Sequence, residues 1–383
     1  MRFRDALTAP GLGAIAEVKR RSPSAGDLRP DADPAELAPA FAAAGAAAIS
    51  VLVDERFGGS LADLRAARQA TSAALLAKGF FHEEGELDVL KEAGADAVLL
   101  LLRDLDDRRA QAMLEHAARL GLDALVEAHD IQELKRAAAL DAEVIGINAR
   151  DLDTFAIDRA AALELVAEAP RDRVVVAESG ITARAHGAAA ELAGADAVLV
   201  GSALMRAPDP AAKLRELVGR PLVKVCGLTR AEDVHAAAEA GADMAGFILA
   251  RETPRRASEV LPVPETMLSV AVYVGERGDD PSDLVQLYTR ENGHRGRDGV
   301  LFRADEPVAR VVDRAWQEED PGHIERARAA DGRIMLAGGL SPENVGEAIA
   351  TVHPWAVDAS SSLETEPGIK DHDRIRAYVE AAR

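Results

Sequence analysis

Short apolar blocks recur along the chain at nearly even spacing. GAAAISVL from Gly45, GADAVLLL from Gly94, GADAVLVG from Gly194 and GADMAGFI from Gly241 each begin on a glycine suited to ending a helix and run into a strand-like segment. The intervals lie close to multiples of about 25 residues, the size of one strand plus one helix in a (βα)8 barrel. Continuous apolar blocks such as 197–200 fit a parallel sheet covered on both faces. A doubly wound sheet is the alternative, but no glycine-rich dinucleotide fingerprint follows the first strand. Strands are predicted at 15–19, 48–53, 74–78, 97–102, 124–127, 144–148, 174–178 and 197–200, which completes one barrel. The helical pattern DPAAKLREL and the break Gly219-Arg220-Pro221 then precede a new strand, LVKVCG, so the expected domains are 1–219 and 220–383.

Polar residues gather where these blocks end. Alternate strand residues share a face, so Glu17 and Lys19 point one way while Ala16 and Val18 point toward the helices. Lys78, Glu127, Asn148 and Glu178 close four further blocks. One lysine and glutamate at a strand end are usually a solvated pair; the same arrangement repeated around one rim is a constellation, at the end where barrel enzymes place their chemistry. Ser179-Gly180 follows the seventh strand and Gly201-Ser202 the eighth, where such barrels hold phosphate on backbone N–H groups.

A formal net charge of -20 changes the picture, because it argues against nucleic acid or an anionic membrane as a partner. A phosphate ligand then needs a local reversal of sign, which Lys19 can supply; Arg20, of opposite parity, is expected to be structural. The apolar stretch 37–53 is broken by Pro39 and Gly45 and reads as a helix followed by a strand, not a membrane span. One cysteine excludes an internal disulfide, and MRFRDALTAPG has no apolar signal core, so a cytoplasmic location is expected.

The stretches IAEVKRRSPSAGDL, ISVLVDERFGGSLADL, GINARDL, VAESGI and VGSALM resemble the indole-3-glycerol phosphate synthase family over about residues 14–218. VKVCGLTRAEDVHAAAEAGADMAGFI, TPRRAS, LAGGLSPENV, VDASSSLE and PGIKD resemble phosphoribosylanthranilate isomerase. The order is that of the bifunctional fusion of tryptophan biosynthesis. This resemblance implies that Lys19 and Lys78 are catalytic lysines, Glu127 an acid/base carboxylate and Glu178 a carboxylate that orients substrate. It further implies that Glu17, Ser22, Asn148, Arg150 and Ser179 bind substrate, and that Gly180, Gly201 and Ser202, with Lys19, hold its phosphate. The implied reaction closes the pyrrole ring of carboxyphenylamino-deoxyribulose phosphate with loss of carbon dioxide and water, without metal or cofactor. In the second half the resemblance assigns Cys226 as base, Asp313 as acid, Arg255 as the partner of the anthranilate carboxylate, and Gly338, Gly339, Ser360 and Ser361 as phosphate loops. The substrates would be phosphorylated anthranilate-sugars, and the expected assembly is a monomer with two contacting domains.

Departures from the family set further expectations. The chain begins close to the first strand, so most of the usual leading extension is expected to be missing. Gly79 replaces an aspartate after Lys78 and should loosen that loop. The second half is too short for eight units of about 25 residues, so about one βα unit is expected to be absent, with VARVVD the one good strand between VLFRADEP and GRIMLAGGL. Leu301-Phe302-Arg303-Ala304 is read as replacing the family's Gln-Leu-His-Gly. If VARVVD is the sixth strand, Asp313 keeps the acid position; if it is the fifth, the acid is lost. Three readings stay open: a bifunctional enzyme, an active synthase fused to an impaired isomerase-like module, and a different phosphate-sugar barrel enzyme.

Overall fold

The computed structural model describes residues 2–251, 253–291, 294–314 and 320–383. They divide into two compact units, Met1–Thr182 with His186–Val218, and Ala183–Ala185 with Gly219–Arg383. Each contains a closed barrel of eight strands.

In the first unit the strands are β1 (Gly13–Val18), β2 (Ala48–Leu52), β3 (Ala74–Lys78), β4 (Ala97–Leu101), β5 (Asp123–Ala128), β6 (Val144–Asn148), β7 (Val174–Glu178) and β8 (Ala197–Val200). All pair in parallel, and β8 closes on β1 through Gly13 opposite Ala197. Strand parity sorts the side chains into two cores. Ala14, Ala16 and Val18 join the layer between sheet and helices, together with Phe41, Leu64, Leu87 and Met113. Ile15, Leu76, Leu99, Leu125, Val176 and Leu199 fill the barrel. The N-terminal end is stoppered by a short helix, Phe3–Leu7, whose Phe3 and Leu7 join that inner core. Asp123, at the start of β5, anchors the stopper by accepting the Arg4 backbone N–H at 3.0 Å and pairing with Arg2. Apolar plug and polar rim thus occupy opposite ends.

The second barrel is β9 (Leu222–Cys226), β10 (Met244–Ile248), β11 (Leu268–Val274), β12 (Leu284–Glu291), β13 (His294–Arg303), β14 (Glu306–Val312), β15 (Ile334–Leu336) and β16 (Ala356–Ala359). It is short, as expected, but the barrel does not close with one strand fewer. β13 runs antiparallel to both neighbours, so β12, β13 and β14 form a meander. Antiparallel strands need only tight turns, whereas parallel ones need long crossovers. Among the described residues no helix lies between Ile248 and His323, and the shortfall therefore falls on helices. Two expectations are corrected or resolved by this order. Leu301-Phe302-Arg303, read as standing in for the family's Gln-Leu-His-Gly, end the inserted antiparallel strand, and Ala304 follows it, while the fourth strand carries the similar Gln286-Leu287-Tyr288. VARVV of VARVVD lies in the sixth strand, and Asp313 follows that strand's last residue.

Truncating Phe3 to Ala should destabilise the first unit by about 3–5 kcal/mol, as expected for removing a fully buried aromatic side chain. Both tryptophans and all three tyrosines lie beyond residue 219. The loss should therefore appear in the urea transition seen by far-ultraviolet circular dichroism and leave the tryptophan-fluorescence transition in place. A change below about 1 kcal/mol would exclude the helix from the core.

Candidate functional site

At the C-terminal mouth of the first barrel, five strands deliver charged or polar groups inward. Glu17, Glu127 and Glu178 are only 3%, 2% and 1% exposed. Lys78 Nζ lies 2.5 Å from Glu178 Oε2, 3.7 Å from Glu17 Oε2 and 3.8 Å from Glu127 Oε2. Lys19, just past β1, sits 2.5 Å from Glu17 Oε1. Asn148 Nδ2 donates to Glu127 Oε1 at 3.0 Å.

Space for this cluster comes from missing side chains. A Cβ on Gly146 would collide with Glu178 Oε1, and one on Gly201 with Glu17 Oε1. Gly79, expected to loosen the Lys78 loop, gives up its side-chain space to the ring of Phe81, 2.8 Å from where a Cβ would stand.

Burial opposes every charge here, and the ion pairs answer it. Burial alone would lower the Lys78 pKa, but Glu178, Glu17 and Glu127 outweigh it and hold the ammonium well above its ordinary value. Glu17 is resisted by burial yet held below the usual carboxylate range by Lys19 and Lys78. Glu127, likewise buried, is held at about 2 by Lys78, His129 and Asn148. Burial pushes Glu178 up to about 8 against Lys78, with help from Glu127. A 2.5 Å contact with an ammonium is nevertheless that of a carboxylate. The contact fixes where Glu178 sits, with Lys78 opposing the upward push of burial.

Glu17, Lys19, Lys78, Glu127 and Asn148 line a cavity of about 690 Å³ that also holds Ser22, Arg150, Ser179 and Ser202. An adjoining cavity of about 370 Å³ shares Glu17, Lys19, Lys78 and Arg150 and adds Gly180 and Gly201. Ser179 and Gly180 both adopt left-handed backbone, at φ 67° and 73°, which is costly for serine. Arg150 Nη1 donates to Ser24 Oγ at 3.2 Å, linking the loop after β6 to the loop after β1. Arg20 binds Asp63 and the Gly58 carbonyl, the structural role its parity suggested. The first-half site residues named from the sequence thus border one pair of adjoining cavities, except Glu178, which reaches them through Lys78; Arg206 stands beside the phosphate loops as an addition.

Sequence reasoning also missed His129. It stands two residues beyond Glu127, the same spacing that drew attention to Glu17 and Lys19. Its Nε2 is 3.1 Å from Glu127 Oε1 and its Nδ1 3.0 Å from Glu133 Oε2. Burial would lower its pKa, but the two carboxylates lift it to about 10.

The second barrel gathers Cys226, Arg255, Asp313, Gly338, Gly339, Ser360 and Ser361 around a cavity of about 230 Å³. Burial raises the Cys226 thiol against the pull of Lys224, and raises Asp313 against Arg295. Asp313 Oδ2 accepts from Tyr288 Oη at 2.8 Å and from Arg295 Nη1 at 2.7 Å. Both partners come from the β12–β13 meander, which the sequence reading did not contain. Arg255 donates from Nε to Glu364 at 2.8 Å, and Lys370 reaches the same carboxylate at 2.9 Å.

Residues 1–217 match the family Indole-3-glycerol phosphate synthase. The chain belongs to the indole-3-glycerol phosphate synthase family. Residues 318–381 match N-(5'phosphoribosyl)anthranilate (PRA) isomerase, so the synthase domain is joined to isomerase sequence in one chain. The chain is 50% identical to the indole-3-glycerol phosphate synthase of Nocardioides sp. over 55% of its own length and 82% of that protein. A multifunctional tryptophan biosynthesis protein of Phanerodontia chrysosporium is 31% identical across 100% of this chain, which spans 64% of that protein. One from Schizosaccharomyces pombe is 30% identical across 100% of this chain and 61% of its own length. Among the described residues no helix is long and apolar enough to cross a membrane.

The raised pKa of His129 makes stability pH-dependent in a defined direction. The folded state retains a proton that the unfolded chain releases near about 6.5. The stabilisation is full below that pH and is lost as pH rises through about 10. The stability difference between wild type and His129→Gln should accordingly shrink across that window in chemical denaturation. A difference that stays constant would show that His129 is not held as a cation.

Proposed function

We propose that residues 1–219 form an active indole-3-glycerol phosphate synthase and residues 220–383 a phosphoribosylanthranilate isomerase, joined as a cytoplasmic monomer in tryptophan biosynthesis. The reading is carried by the convergence of Glu17, Lys19, Lys78, Glu127 and Asn148 on one cavity that adjoins the phosphate-loop residues, with Glu178 holding Lys78 from behind. Ring closure requires a cation at the ketone while the aromatic carbon attacks. Lys78, kept charged by three carboxylates, donates a proton toward that oxygen, and Glu178 sets its position. Carbon dioxide then leaves, and Glu127 handles proton transfer as the hydroxyl departs as water. Lys19 bridges the reacting centre and the phosphate, which Ser179, Gly180, Gly201 and Ser202 hold. Glu17, Ser22, Asn148 and Arg150 bind the remainder of the substrate.

In the second unit Cys226 takes the proton from the carbon next to the anomeric centre and Asp313 protonates the ribose ring oxygen. Arg255 meets the anthranilate carboxylate, while Gly338, Gly339, Ser360 and Ser361 receive phosphate. Closure with eight strands and the sixth-strand position of Asp313 remove the premise of an impaired half. Relatives that span the whole chain also weigh against an inert module. For Asp313 to act as an acid it must carry a proton, which burial favours and Arg295 opposes.

Lys78→Ala and Glu127→Gln should each lower indole-3-glycerol phosphate formation by at least about 10²-fold while the protein stays folded; near-normal turnover by either overturns the assignment. Cys226→Ala and Asp313→Asn should do the same to turnover of freshly generated phosphoribosylanthranilate. A wild type without isomerase turnover would return the second half to a structural role. Phosphate should protect the first unit against unfolding, and Ser202→Asp should abolish that protection by placing like charge among the anion's donors.

A further inference from the structure

We propose that His129 is a positioning residue of the synthase site: as an imidazolium held between Glu133 and Glu127, it fixes the orientation and the ionised state of Glu127. The inference rests on the reading of Glu127 as the acid/base carboxylate. His129 directly follows β5 and is itself locked by the helix Ile131–Ala139. Asp130 caps that helix, accepting the backbone N–H groups of Gln132 and Glu133 at 2.8 Å each. Glu133, in its first turn, reaches back so that Oε2 accepts the His129 backbone N–H at 2.8 Å and meets the ring Nδ1 at 3.0 Å. The ring is thereby aimed at Glu127 Oε1, 3.1 Å from Nε2. That contact is an ion pair whose N–H lies off the line for a hydrogen bond.

A neutral imidazole has one N–H and would turn a lone pair toward one of its two carboxylates; two carboxylate partners call for a ring protonated on both nitrogens. The same contact sorts the two oxygens of Glu127. Oε1 is occupied by His129 and by Asn148 Nδ2. Oε2 has no hydrogen-bond partner and lies 3.8 Å from Lys78 Nζ. The oxygen left open is the one beside the proposed carbonyl acid, where a proton can be exchanged.

The surrounding charges agree. Glu127 faces Lys78 from β3, Glu178 from β7 and Glu17 from β1, with Asn148 from β6 as a neutral donor. Lys19 and Lys78 pair with these three buried carboxylates, Arg150 adds to the field at Glu17, and His129 adds a cation beside Glu127. Glu133, on the far side of the ring, also lies in the field of Arg103 beyond β4.

The test measures kcat, KM and the pH profile of indole-3-glycerol phosphate formation by the full chain, as wild type, His129→Gln and Glu127→Gln. His129→Gln should lower kcat about 10- to 100-fold, the range for a lost outer partner. KM should change less than about 2-fold, because the ring does not border the cavity. The acidic limb of kcat/KM should move up by about one unit or more as Glu127 loses its cation. Unchanged kcat and acidic limb in His129→Gln, with Glu127→Gln inactive, overturn the role of His129 and leave Glu127 standing. Near-normal turnover of Glu127→Gln overturns the reading beneath both. Nitrogen NMR of the wild-type His129 ring decides the matter if the variant fails to fold. An imidazolium at pH 8 is expected, and a neutral ring there refutes the proposal.

Discussion

Three carboxylates, Glu17, Glu127 and Glu178, lie almost entirely out of water at one end of a closed sheet, and the rest of the first unit is arranged around what that costs. Leaving one buried carboxylate unpaired costs several kcal/mol, and like charges add repulsion. The cations therefore cannot be optional. Lys78 touches Glu178 and lies within 4 Å of the other two, Lys19 pairs with Glu17, and His129 adds a cation beside Glu127. Such a network destabilises the fold compared with an apolar mouth, and in exchange it presents a fixed ammonium and a fixed carboxylate to a substrate without reorganisation.

Backbone and loops follow from the same constraint. Gly146 and Gly201 leave room where any side chain would displace Glu178 or Glu17. At the opposite end of the barrel there is no chemistry to accommodate, and Phe3 and Leu7 complete an apolar core. The left-handed Ser179-Gly180 turn stores strain beside the cavity that the barrel interior makes affordable.

The second barrel meets a different constraint, a chain too short for eight crossovers. Reversing one strand keeps the sheet closed while replacing helices with turns. The consequence reaches the site, because β12 and β13 then place Tyr288 and Arg295 against Asp313. The inferred acid is held by Tyr288 and Arg295, and its cavity is about a third of the first one's volume.

Period-two strand parity and the residue that ends each strand are local properties, and in a parallel barrel every strand ends at the same rim. Glu17, Lys19, Lys78, Glu127, Asn148 and Glu178 could therefore be assigned to one mouth from the sequence alone. The same logic assigned Ala16 and Val18 to the helix layer. Strand direction is not local: β13 carries no mark that it runs backwards, since alternation reads alike in both senses and only pairing with β12 and β14 decides. His129 escaped for a related reason. Its charge depends on Glu133 folding back from the next helix while Glu127 projects from the strand, and only the tertiary structure brings those two carboxylates to opposite sides of one ring.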